Sequence, residues 1–372
     1  MNPRARDLNI RIGQLQPGPL NAITDVPGVR VGHSNVRGRS ETGRDICTGV
    51  TVIEPRRGST NQQPCFAGVH VLNGNGDATG LEWIREAGLL TSPIAFTNTH
   101  SLGVVRDALI ALDRQQQPDD GRLYWNMPVV LETFDGLLND INGFHVKPEH
   151  VAEALNCAHD GAVEEGAVGG GSGMICHEFK GGIGSASRRL SSAQGGWTVG
   201  AIVQANHGIR SELRVDGYPV GRYMEQVDSP FLRASLPHPG MGSIVVCLAT
   251  DAPLLPHQCT RLAQRASLGL ARSGGGNEDH SGDIFIAFAT GNEQVPPAAY
   301  EGKGAPTCDG LRMVNNDHIS ELFLAATEAV EEAIINALLA SESTAGNGHA
   351  VPGLDKETLL AALAKAGWPG AR

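Results

Sequence analysis

Residues 237–252 read PHPGMGSIVVCLATDA, a proline- and glycine-rich approach that runs into Ser243 and then into a largely apolar stretch. An unbroken apolar run of this length suits a strand covered on both faces. Similar runs recur as TGVTVIEP (48–55), PIAFTNT (93–99), NMPVVLET (126–133), TVGAIVQAN (198–206) and DIFIAFAT (283–290). Helical periodicity separates them in VVRDALIALDRQ (104–115), PEHVAEALNCAHDGA (148–162), PHQCTRLAQRASLGLAR (256–272) and DHISELFLAATEAVEEAIINALLA (317–340). Asp317 is a candidate N-cap, and Gly274 stands just past Arg272 as a stop. The 48 glycines gather in LNGNGDATG (72–80), AVGGGSGM (167–174), FKGGIGSAS (179–187) and RSGGGNEDHSGD (272–283), which predicts tight turns and close backbone packing. Layered α/β or α+β packing follows, with helices outside two stacked sheets. SESTAGNGHAVPG (341–353) reads as a linker before a last amphipathic segment, DKETLLAALAKAG, and no other boundary is visible.

Composition narrows the function. The 372 residues carry a formal charge of −11, with no lysine or arginine stripe to track a phosphate backbone, so nucleic acid is excluded as a partner. The start, MNPRARDLNIRIGQLQPG, has no apolar h-region, and no run of eighteen uncharged apolar residues follows, so neither export nor a membrane span is expected. The seven cysteines (47, 65, 157, 176, 247, 259, 308) are scattered in mostly apolar surroundings and read as buried thiols of a reducing cytoplasm. Cys176-His177-Glu178 resembles a metal cluster, but adjacent strand residues face opposite ways and no second pair stands at zinc spacing, so no metal or other cofactor is expected.

Ser243 has three readings. It is a strand-end serine whose hydroxyl satisfies the backbone; or the nucleophile elbow of an α/β-hydrolase; or an N-terminal nucleophile made by self-cleavage after Gly242. The elbow fails, because GMGSI lacks the glycine two residues after serine and precedes a strand where that motif needs a helix. Self-cleavage has a chemical rationale. A freed α-amine, of pKa roughly 7.7–8.0, would sit beside its own hydroxyl as a base. Glycine at 242, with no Cβ, admits the hydroxyl to its carbonyl.

Together the motifs carry a resemblance. GMGSIVVCLATDAPL is similar to the cleavage segment of the L-aminopeptidase/D-esterase family, whose relatives include the β-peptidyl aminopeptidases. PGPLNAITDVPGVRVGH (17–33), LNGNGDATG, ETFDGLLNDINGFHV (132–146), VGGGSGM, VGAIVQAN and SGDIFIAFATGN (281–292) resemble it in order, so the likeness covers nearly the whole chain. It implies an α+β fold, a four-layer α-β-β-α sandwich like N-terminal nucleophile hydrolases in layering but different in connectivity. It also implies one catalytic domain that cuts itself into residues 1–242 and 243–372, works in the cytoplasm on small peptides, amides or esters, and assembles as a homotetramer of processed pairs.

The same resemblance assigns roles. Ser243 is the nucleophile toward Gly242 and later toward substrate, and Asn206 donates to the oxyanion, a function whose loss typically costs about 3–4 kcal/mol of barrier. Ser281 and Asp283 form a relay, and alternation puts both on one face. Glu132 holds the substrate's free ammonium, and Trp125 walls the amino-terminal side chain. Blander readings stay open: Asn206 as a turn residue, Asp283 as a loop cap, Glu132 as a strand-end acid, Trp125 as core. Phe134 departs from the family, some members of which have a tyrosine there; Tyr124 is a candidate replacement. Two rivals remain. One is an acyltransferase of arginine synthesis, whose nucleophile resembles threonine. The other is a non-catalytic binding protein whose AVGGGSGM or EGKGAP loop cradles a phosphate, although neither has P-loop spacing.

Overall fold

The computed structural model describes residues 2–117, 123–231, 242–297 and 308–370. The elements are, in chain order, β1 (Arg30–Arg39), β2 (Asp45–Glu54), β3 (Cys65–Gly74), α1 (Leu81–Ala87), β4 (Leu89–Leu90), β5 (Ile94–Asn98), α2 (Leu102–Gln116), β6 (Val129–Thr133) and α3 (Pro148–Asn156). They continue with β7 (Ile175–Cys176), β8 (Phe179–Lys180), β9 (Gly182–Arg189), β10 (Thr198–Asn206), β11 (Ser243–Thr250), α4 (Pro256–Gln264), α5 (Ala266–Ser273), β12 (Gly282–Ala289), α6 (Ser320–Ala340), β13 (Thr344–Gly346), β14 (His349–Val351) and α7 (Lys356–Lys365). PHPG at 237–240 and EGKGAP at 301–306 lie outside the described residues.

A four-stranded sheet, in the order β1-β2-β5-β6, stacks on a six-stranded sheet, in the order β4-β3-β12-β11-β10-β9. Alternation along the strands builds the layers. In β11, Val245, Cys247 and Ala249 join Phe96, Val129 and Leu131 of the smaller sheet in the core between the sheets. Ile244, Val246 and Leu248 face the opposite way and pack with residues of α4, α5 and α6. On the outer side of the smaller sheet, Val50, Val52, Ala95 and Val130 meet Val105, Leu109 and Val151 of α2 and α3. The chain is thus the expected α-β-β-α sandwich. Both faces of β10, β11 and β12 are covered, which is why their sequences are nearly free of exposed polar positions.

Several expectations need correction. The run 256–272 is two helices, broken at Arg265, not one. The helix at 148 stops at Asn156, with Cys157 as its C-cap. Asp317 is not the N-cap of the long helix: it lies in a 3-10 turn capped by Asn315, whose side chain accepts from the Asp317 N–H. Residues 341–353 are not a linker. They form the β13–β14 hairpin, tied by mutual hydrogen bonds between Asp45 and Asn347 and by burial of Val351. Of the thiols, Cys157 and Cys308 are exposed; all seven cysteines are free.

A buried ion cluster fixes the N-terminal segment to β9 and α6. Arg188 donates to Glu328 (3.1 Å) and Glu332 (2.7 Å), all three side chains being essentially inaccessible. Arg6 and Asn21 also bond Glu332, and the Gln14 and Leu15 N–H groups bond Glu328. Removing one partner of such a cluster strands a buried charge, which costs about 3–5 kcal/mol. Arg188→Met should therefore lower stability by about that amount, read as the shift in denaturant midpoint at unchanged m-value.

Candidate active site

Strand register assembles the site at one end of the larger sheet. Ser243 opens β11 opposite Asn206, the last residue of antiparallel β10, and opposite Gly282, the first of parallel β12. Ser243 shares its parity with Val245, and Asn206 with Ile202, so both side chains project between the two sheets. Ser243 and Asn206 are 5% exposed each. The Gly282 N–H donates to Ser243 Oγ (3.1 Å) and lies 3.3 Å from the Gly242 carbonyl oxygen, so one amide touches both the hydroxyl and the bond before it.

Asn206 is oriented unambiguously. Its Oδ1 accepts the Ile175 N–H (2.7 Å), and its Nδ2 donates to the Phe134 carbonyl (2.9 Å). Ser281 Oγ donates to Asp283 Oδ1 (2.6 Å). The Asp283 carboxyl is pushed up to about 6, chiefly by burial, while the Ser281 hydroxyl and the Ile244 N–H hold it down. Asp283 has the parity of Phe285, on the helix-facing side, and among the described residues neither it nor Ser281 hydrogen-bonds Ser243. The pair itself is formed; among the described residues no hydrogen bond links it to Ser243.

Glu132 is buried near the end of β6. Its Oε1 accepts the Asp77 N–H (2.8 Å), and its Oε2 accepts the Thr99 hydroxyl. Burial raises its pKa, and the Thr99 and Asp77 hydrogen bonds partly offset this. The missed element is the loop after β3. It leaves the larger sheet, places Asn75 and Gly76 against Gly282, and then pairs Ala78 with Leu131 on the edge of the smaller sheet. A Cβ on Gly282 would lie 2.8 Å from Asn75 O and 2.9 Å from Gly76 Cα; one on Gly76 would lie 3.2 Å from Glu132 Oε1. LNGNGDATG is therefore a strap between the carboxylate and the strand that touches Ser243. Its glycines signalled the close approach but not the partner.

The peripheral assignments divide. Phe134 lines the site through its carbonyl, while the residue is 50% exposed. Tyr124 does not replace a site hydroxyl: its oxygen donates to Asp113 on α2 (2.7 Å). Trp125 packs edge-on against Trp83 of α1, ring centroids 5.0 Å apart, in the segment that precedes β6, and the described contacts do not bring it to Ser243 or Glu132. Near Asn206, the expectation that Cys176 and His177 diverge fails, because β7 ends at Cys176 and left-handed His177 and Glu178 form the turn. His207, which the sequence gave no reason to pair with them, comes beside both: the ligand atoms of Cys176, His177 and His207 lie within 4.8 Å of one another.

The chain as a whole has counterparts among known proteins. Residues 21–351 match peptidase family S58. The chain belongs to that family. It is 44% identical over 377 residues to the beta-peptidyl aminopeptidase BapA of Sphingosinicella microcystinivorans, covering 98% of this chain and 92% of that one. A Burkholderia sp. beta-aminopeptidase structure superposes with a TM-score of 0.93 at 65% identity, over 98% of this chain and 99% of the other. The L-aminopeptidase D-Ala-esterase/amidase of Ochrobactrum anthropi, described as a prototype serine aminopeptidase and a variant of the Ntn hydrolase fold, gives 0.88 at 43% identity over 98% and 99%. The protein is a serine aminopeptidase, a hydrolase of family S58.

The strap yields a prediction. Gly282→Ala should force Asn75 and Gly76 away and lower kcat/KM on aminoacyl amides by about 100-fold, with an unchanged far-ultraviolet circular dichroism spectrum.

Proposed function

We propose that the chain cuts itself between Gly242 and Ser243 and then removes N-terminal residues from short peptides, amides or esters through an acyl-enzyme on Ser243. The observation that carries this reading is the position of Ser243, held between Asn206 and Gly282 with the Gly242 carbonyl already on the Gly282 N–H. In maturation, Ser243 Oγ adds to the Gly242 carbonyl carbon while its proton passes to the departing Ser243 nitrogen. The C–N bond breaks to leave an ester and an amine. Water then hydrolyses the ester, giving the Gly242 carboxylate and restoring the hydroxyl.

In turnover the freed Ser243 amine is the base. Ser281 and Asp283 flank Gly282, Ser243's register partner, and that adjacency supports a role for the pair in engaging the amine once the cut releases it. The second Asn206 Nδ2 hydrogen takes the developing oxyanion. Glu132, ionised and desolvated, pairs with the substrate ammonium, which restricts the enzyme to chain termini. The names of its relatives support N-terminal β-amino acid residues as substrates, with L and D residues as further classes. We further propose a cytoplasmic oligomer of processed pairs; no helix among the described residues is long and apolar enough to cross a membrane.

Intact mass tests maturation: the 39.1 kDa chain should give fragments 1–242 and 243–372. Ser243→Ala should remain whole; cleavage in that variant removes Ser243 from the mechanism. Glu132→Gln should raise KM for aminoacyl amides by about 10- to 100-fold and leave hydrolysis of an amine-free ester unchanged. Because the folded pKa of Glu132 is raised, wild-type KM should climb as pH falls, beginning above the ordinary carboxylate range, and Glu132→Gln should lose that climb. Phe134→Tyr should hydrolyse the same amides with a shifted preference among α, β and D residues; identical profiles would sink that expectation.

A further inference from the structure

Lys180 is wholly buried, yet among the described residues its ammonium meets no carboxylate by hydrogen bond. It donates to the carbonyls of Met174 (2.8 Å), Gly181 (2.9 Å) and Gly171 (3.3 Å). Burying an ammonium among neutral acceptors is costly, and a neutral donor could hold the same turn with less penalty. The Met174 carbonyl belongs to the same peptide group as the Ile175 N–H, which donates to Asn206 Oδ1 (2.7 Å). A cation on the carbonyl end of a peptide draws electron density from its N–H end, and a stronger donor to an amide oxygen polarises that amide's own N–H groups. Two hydrogen bonds and one peptide group therefore connect the ammonium to Asn206 Oδ1, and the side-chain amide carries the polarisation on to Nδ2.

We propose that Lys180 is a positioning residue whose positive charge, relayed through the Met174–Ile175 peptide, orients and strengthens Asn206 as the oxyanion donor. The inference rests on the reading of Asn206 given above. The titratable and charged groups that act on the ammonium are the Cys47 thiol, the Arg37 guanidinium, the Asp135 carboxyl and the Cys176 thiol. Both thiols are pushed up by burial and so held neutral, and the Asp135 carboxyl is raised to about 6. Burial brings the lysine down to about 7. At neutral pH the thiols carry no charge, Asp135 is largely ionised and the lysine is partly protonated, so the charge on the Met174 carbonyl comes from the lysine and is offset in part by Asp135.

The test separates the charge from the fold. The probe is an aminoalkyl boronic acid, whose boron accepts the Ser243 oxygen and becomes a tetrahedral anion. Its affinity for processed enzyme is compared with that of the amine-bearing product, which makes no oxyanion. Lys180→Gln should weaken the boronate by about tenfold, leave the product within about twofold, and add little further loss to Asn206→Ala. Lys180→Arg should recover part of the loss. Replacing the amide at Ile175 by an ester removes the N–H in the middle of the path and should reproduce the effect with Lys180 intact. Should Lys180→Gln not yield processed, folded protein, the ester variant gives the same readings. Equal weakening of boronate and product, or additive losses with Asn206→Ala, overturns the inference. If Asn206→Ala alone leaves the boronate unaffected, it is the oxyanion reading of Asn206 that fails.

Discussion

Parallel pairing of β11 with β12 puts Ser243 level with Gly282, and the absence of a side chain at Gly282 allows the rest of the site to close around them. Because nothing projects from that position, the Asn75–Gly76 backbone lies directly on the strand, and its next residue delivers an N–H to Glu132 on the other sheet. A side chain there would separate the two sheets locally and move the carboxylate away from the serine. The register break between β12 and β3, at Asp283 and Ile284, falls at the same place. Such irregularities redirect a strand and its side chains near functional sites. Here the break accompanies the departure of β3 into the strap.

Legibility in the sequence followed the kind of burial. β10, β11 and β12 were readable because both faces contact apolar layers, so hydrophobicity is continuous along them. β9, GIGSASRR, was not, although seven of its eight residues are buried. Its interior contacts are polar: Ser185 and Ser187 bond the N-terminal segment, Arg188 enters the ion cluster, and Gly184 lies against the α6 backbone. A strand that buries charge looks like a loop to any hydrophobic pattern. The hairpin at 341–353 was hidden for a related reason, since side chains far away in sequence hold it. Motif resemblance named Ser243, Asn206, Ser281, Asp283 and Glu132 as candidate site residues. Structure joins the Ser281–Asp283 pair and seats Ser243 beside Asn206. The strap that holds Glu132, the lysine behind Asn206 and the approach of His207 to Cys176 all depend on chain crossings that no local pattern encodes.

The interior is polar wherever segments must be located precisely in relation to one another. Glu328 and Glu332 receive donors from the N-terminal segment and from β9, and Gln204 crosses between the sheets to the Thr97 carbonyl and the Thr133 hydroxyl. Apolar packing alone tolerates sliding, whereas a donor matched to an acceptor in low dielectric does not. That rigidity is useful to a hydrolase whose donor geometry must stand ready before the charge it stabilises has formed.

The order of the larger sheet adds one consequence. β12 and β11, from the portion after Gly242, occupy its centre, with β3 on one flank and β10 on the other, both from the portion before. The proposed break at Gly242 would therefore leave every strand pair in place while turning a single molecule into an interleaved couple. The uncut chain finds its fold in a first-order process. Once the peptide is broken, any global unfolding lets two polymers diffuse apart, and regaining the sheet becomes a second-order encounter whose success depends on dilution. Under the proposed cleavage, maturation would act as a ratchet on the folding history of the molecule, and the durability of the processed enzyme would be set by how slowly its central strands can leave.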